Sequence, residues 1–234
     1  GAGLVLQNNG GDDLPIDSDG SFTFGTPGSD GSGYSVTVKT QPSDPTQTCS
    51  VGNASGTITG ANVTNVQVTC VTNTYTVGGN VSGLAGAGLV LQNNGGDDLP
   101  ITVDGPFIFA TAGVQGAGYA VSVKTQPSNL SQTCTVTNGS GSIGTSNVTN
   151  VSVTCITDTF TIGGSVTGLA GSGLVLQNNG GDNLAVGVNA PFVFDTALAD
   201  GTGYAVSVLI QPSSPAQTCE VTNGSGTLAG QNVG

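Results

Sequence analysis

The string GAGLVLQNNGGDDLPI at positions 1–16 returns unchanged at 86–101 and, lightly edited, as GSGLVLQNNGGDNLAV at 171–186. Both steps are 85 residues, and the phase holds without a gap. Tyr34 recurs as Tyr119 and Tyr204, Cys49 as Cys134 and Cys219, and Gln41-Pro42-Ser43 as Gln126-Pro127-Ser128 and Gln211-Pro212-Ser213. A fixed period of this size marks an array of one repeated unit rather than one large domain. The expected units are 1–72, 73–157 and 158–234. By phase, the first has no counterpart of Tyr75–Ser82 and the third none of Val151–Cys155. The expectation is that further polypeptide supplies both, either as a longer continuous chain or by strand exchange between copies.

The middle unit reads as seven short strands. Tyr75, Val77 and Val81 alternate with polar residues around Gly78-Gly79, which predicts a strand with a bulge. Leu89–Leu91 and Leu99–Val103 flank Asn93-Asn94-Gly95-Gly96, a tight-turn signal because Asn and Gly accept positive φ. Phe107–Phe109, Gly118–Lys124, Cys134–Val136 and Val151–Cys155 complete the set. No stretch shows a 3.6-residue apolar period, so essentially no helix is expected. Short strands punctuated by turns at this spacing predict an all-β chain of tandem immunoglobulin-like antiparallel β-sandwiches, about seven strands per repeat. The joints between units, Val71–Thr74 and Ile156–Thr159, contain neither Gly nor Pro, which favours stiff connections.

Charge is scarce and one-sided. Asp and Glu number 14 against two lysines, Lys39 and Lys124, for a net charge of −12. Nucleic-acid binding is disfavoured, because counterion release needs Lys and Arg. Attraction to anionic membrane surfaces is disfavoured for the same reason, and no apolar run is long enough to span a bilayer. There is no His, which removes Ser–His and Cys–His nucleophilic schemes. The chain is therefore read as a non-enzyme without cofactors.

The five cysteines fall at 49, 70, 134, 155 and 219, and two pairs share a 21-residue spacing. Disulfides Cys49–Cys70 and Cys134–Cys155 are expected, in an oxidising compartment. A zinc site fits less well without CxxC or His. Cys219 is expected to find its partner outside these residues. The acids at Asp12-Asp13, Asp17, Asp19, Asp97-Asp98 and Asp104 offer oxygen ligands for calcium. The third unit weakens the set to Asp182-Asn183, so a solvated hairpin tip is preferred and no metal site is expected. Lys39 and Lys124 lie on the outward face of their strand, and Leu209 replaces them in the third unit, which argues against an isopeptide cross-link. Asn-x-Ser/Thr triplets recur in phase at Asn53, Asn138 and Asn223, candidate glycan sites whose competing reading is turn chemistry.

The runs YTVGGNVSGLAGAGLVLQNNGGDDL, PFIFATA, GYAVSVKTQPS, QTCTVTNGSG and NVTNVSVTC resemble a repeat found in tandem in large secreted bacterial surface proteins of the immunoglobulin-like, adhesin-like class. The chain is similar, more loosely, to pili built by donor-strand exchange. The resemblance implies an extracellular, structural or adhesive role and carries no catalytic residue with it. The expected function is an extracellular filament or stalk whose partner is another copy of itself, head to tail. The alternative is a repetitive adhesin module that binds glycans or host proteins.

Overall fold

The longer strands alternate apolar and polar side chains between the core and solvent. The computed structural model describes all residues 1–234 and is all-β, with 53% strand and no helix. The first repeat holds β1 (Leu4–Asn8), β2 (Asp12–Ile16), β3 (Gly33–Thr40), β4 (Gln47–Gly52), β5 (Ser55–Thr57) and β6 (Gln67–Thr72). The middle repeat holds β7 (Thr74–Tyr75), β8 (Val77–Ser82), β9 (Leu89–Asn93), β10 (Asp97–Ile101), β11 (Gly105–Ile108), β12 (Gly113–Val114), β13 (Gly118–Thr125), β14 (Gln132–Thr137), β15 (Ser140–Ser142) and β16 (Val148–Thr157). The third holds β17 (Thr159–Phe160), β18 (Gly163–Ser165), β19 (Leu174–Asn178), β20 (Asp182–Val186), β21 (Pro191–Val193), β22 (Leu198–Ala199), β23 (Gly203–Ile210) and β24 (Ser225–Thr227).

One sheet order recurs in phase: β2-β1-β3-β5, β10-β9-β13-β15 and β20-β19-β23-β24. A second four-stranded sheet runs β11-β8-β16-β14, and two-stranded pairs β4-β6, β12-β7, β17-β22 and β18-β21 complete the set. The chain forms two compact units, one of Gly1–Gly79, Ile108–Ala120 and Asn138–Val151, the other of Asn80–Phe107, Val121–Thr137 and Ser152–Gly234.

In the first unit the core gathers Leu4, Leu6, Val36 and Cys49, with the Phe22 and Phe24 rings packed edge to face at 6.0 Å. The Asn9-Gly10 turn has φ of 50° and 71°, and Gly11 N–H donates to the Asn8 carbonyl at 3.2 Å, closing the hairpin. Two successive positive φ angles restrict that turn to Asn and Gly. Gly79 marks a close approach, since a Cβ there would meet the Val151 carbonyl.

In the second unit the core gathers Ile162, Leu174, Leu176, Val186, Phe194 and Leu228. Phe192 and Phe194 repeat the edge-to-face pair at 5.7 Å. Ile162 and Val233 form a parallel bridge, and the Ser82 hydroxyl donates to the Val153 carbonyl at 3.4 Å.

The expected strands differ from the observed ones in detail. The run Tyr75–Ser82 is broken at Thr76 into β7, which pairs with β12, and β8. Thr76 is held out of either strand because its N–H donates to the Asn147 side chain and its carbonyl accepts Val148 N–H, both at 2.9 Å. The strand expected at Leu99–Val103 occupies Asp97–Ile101, because the hairpin register pairs Asp97 with Asn93.

Candidate functional site

Cys49 and Cys70 stand directly opposite each other on β4 and β6, and Cys134 and Cys155 on β14 and β16. Both pairs are disulfide-bonded, with Cα–Cα separations of 3.9 Å. Cys49, Cys134 and Cys155 are buried, but Cys70 is exposed, because only β4 flanks β6. Cys219 is free and half-buried. The two intramolecular disulfides indicate an oxidising compartment of the extracellular kind.

A glutamine holds each first cysteine in place. The Cys49 N–H donates to Gln41 Oε1 at 2.7 Å, and Gln41 Nε2 donates back to the Cys49 carbonyl at 3.0 Å. Gln126 repeats this on Cys134 at 2.8 and 3.0 Å, and Gln211 on Cys219 at 2.7 and 3.0 Å. Gln132 is buried and accepts the N–H groups of Ala85 and Gly86 at 2.8 and 2.7 Å, while donating to the Gly83 carbonyl at 2.8 Å. Gln217 repeats those contacts on Ala170, Gly171 and Gly168.

The repeat joints carry the most organised polar chemistry. At the first joint, inside the first compact unit, Thr46 N–H donates to Gln115 Oε1 at 2.9 Å. The Thr46 hydroxyl meets the Tyr75 hydroxyl at 2.9 Å, and the Thr48 hydroxyl donates to Asn73 Oδ1 at 2.8 Å. Asn73 N–H closes the loop on the Thr46 carbonyl at 3.0 Å. At the second joint, inside the second compact unit, the same positions carry Ser131, Thr133, Asp158 and Asp200. Ser131 N–H donates to Asp200 Oδ2 at 2.7 Å, and its hydroxyl to Asp158 Oδ2 at 2.6 Å. The Thr133 hydroxyl donates to Asp158 Oδ1 at 2.8 Å, and Asp158 N–H to the Ser131 carbonyl at 2.9 Å.

These bonds favour the charged forms. The Ser131 and then Thr133 hydroxyls hold the Asp158 carboxyl below its ordinary value, outweighing desolvation and the repulsion from Asp200. The backbone N–H groups of Ser131 and Gly230 do the same for Asp200. The sequence reading missed this site. Its only legible sign was that Asn73 and Gln115 become Asp158 and Asp200, acids acquired in phase at both places.

The other candidate residues are engaged locally. Lys39 pairs with Asp13 and Lys124 with Asp98, all partly exposed. The lysine, and then Gln7 or Gln92, holds each of those carboxyls below its ordinary value. Asp12 Oδ2 accepts Thr26 N–H at 2.8 Å, and the Asp104 oxygens accept Gly83 and Leu84 N–H at 2.9 and 2.8 Å. No three His, Cys, Asp or Glu side chains stand together as a ligand set. Asn53, Asn138 and Asn223 are exposed turn residues with φ of 52°, 54° and 54°. The Asn53 amide donates to the Asn65 carbonyl at 2.8 Å, and that of Asn138 to the Asn150 carbonyl at 3.2 Å. No helix is long and apolar enough to cross a membrane.

Comparison with protein-family models finds no match, and comparison with curated proteins finds none either.

Proposed function

We propose that this chain is a structural array, a stretch of an extracellular filament or stalk that grows head to tail through immunoglobulin-like repeats. The observation that carries the reading is the pair of joints. Both connect one repeat to the next through the same positions, and both satisfy their polar groups within the chain. A string of independent modules would leave its linkers solvated.

Three further features support it. Each of the first two repeats carries one covalent staple, which raises the work of unfolding a small core. The surface is poor in charge, with two lysines. The candidate glycan asparagines serve as turn residues. The resemblance to repeats of bacterial surface proteins points the same way and agrees with a location outside the cell.

Electron microscopy of the native secreted protein tests the proposal. Long uniform filaments are the expected result. Isolated particles that bind a glycan array would replace it with the adhesin reading.

A further inference from the structure

Three strands, β2, β10 and β20, form the outer edge of the same sheet in the three repeats. An open edge exposes backbone donors and acceptors and invites another strand. The first two repeats block theirs. Pro15 lies opposite Val5 and Pro100 opposite Val90. Proline has no N–H, so the ladder to the inner strand runs through the residues on either side. The backbone of the proline position, and of the position two residues earlier, therefore faces the open side. These two repeats also share an ion pair that reaches across the inner strand, Asp13 with Lys39 and Asp98 with Lys124.

The third repeat lacks both the proline and the ion pair. Ala185 stands where the others have Pro, Asn183 where they have Asp, and Leu209 where they have Lys. The register is unchanged, with Val175 opposite Ala185 and Gln177 opposite Asn183. Asn183 and Ala185 are exposed, and their backbone groups face away from β19. The neighbouring acid, Asp182, is occupied by Thr196 N–H at 3.2 Å.

We propose that β20 is a self-association edge, onto which β20 of a second copy of this chain pairs antiparallel. A two-fold axis through Leu184 sets Asn183 opposite Ala185 of the partner subunit and Ala185 opposite Asn183 of the partner subunit. Each pair exchanges two N–H···O=C bonds, four in all. The same pairing through β2 or β10 loses half of them, because proline donates none. The symmetry of the pairing chooses a second copy as the occupant. The open groups are self-complementary under that axis. This contact uses no joint residue, so it stands or falls apart from the filament reading.

Sedimentation equilibrium of the intact chain tests it, comparing the wild type with Ala185→Pro and with the double variant Asn183→Asp, Leu209→Lys. These variants restore residues that sibling repeats hold at the same register, so they are compatible with the fold. The wild type dimerises with rising concentration, and Ala185→Pro weakens the dimer by about tenfold or more. The double variant, which restores a neutral ion pair on the sheet face and leaves the backbone edge open, dimerises like the wild type. A wild type that stays monomeric, or an Ala185→Pro variant that associates like the wild type, overturns the proposal.

Discussion

The Ser131 N–H donates to Oδ2 of Asp200 at 2.7 Å, joining the middle repeat to the third through a carboxylate. The equivalent bond at the first joint, Thr46 N–H to Gln115 at 2.9 Å, ends on a neutral amide. The two joints therefore answer differently to acid. Asp158 and Asp200 are the titratable groups that face each other there, and both sit below their ordinary value of 3.8. A depressed folded value means stability that is complete above about pH 4 and lost as pH falls through the lower folded value. In an NMR titration from neutral pH downward, the Ser131 amide shifts in that acid range while the Thr46 amide does not. Parallel behaviour of the two amides would contradict the assignment.

The Tyr75 hydroxyl contributes one hydrogen bond to the first joint, and the third repeat has Phe160 at the same position. Tyr75→Phe keeps the ring and removes that bond. The expected loss is about 1 kcal/mol in chemical denaturation. Gln115→Ala leaves Thr46 N–H without its acceptor and is expected to cost about as much or more.

Replacing Cys49 and Cys70 together by Ala opens a loop spanning a separation of 21 residues. The chain-entropy model assigns such a loop about 3 kcal/mol. Differential calorimetry should show the transition involving the first repeat move down, while that of the third, which has no disulfide, stays in place. A shift of all transitions alike would mean that the repeats unfold as one block.

Gly79→Ala forces a methyl group against the Val151 carbonyl, and the expected destabilisation is about 1–3 kcal/mol. Gly144→Ala is the control, because a Cβ there meets nothing within 4 Å. Its effect should stay within about 0.5 kcal/mol. Thermal unfolding of both variants checks the pair.

Alternating burial made most strands legible. In β13, Tyr119, Val121 and Val123 turn inward while Ala120, Ser122 and Lys124 turn outward, as their spacing implies. The strands that escaped have no such signal. Gly113-Val114 is too short to alternate, and Ser140-Gly141-Ser142 is exposed throughout. Those strands are ordered by their neighbours across the ladder rather than by their own side chains. The joint escaped for a different reason. Ser131, Asp158 and Asp200 are far apart in sequence, and nothing in a local window tells an acid that accepts hydrogen bonds from one that faces water. Gln41, Gln126 and Gln211 were visible as a motif, but their grip on the cysteine backbone needed coordinates.

Single-molecule force spectroscopy on the chain, pulled from its two ends, tests the structural role most directly. A tension-bearing array resists in discrete peaks, and each disulfide hides the residues between its cysteines from extension. Reduction should therefore lengthen the step of each stapled repeat by about 70 Å, the extended length of the 21-residue separation at roughly 3.3–3.6 Å per residue. A featureless extension at low force, unchanged by reductant, would contradict the account.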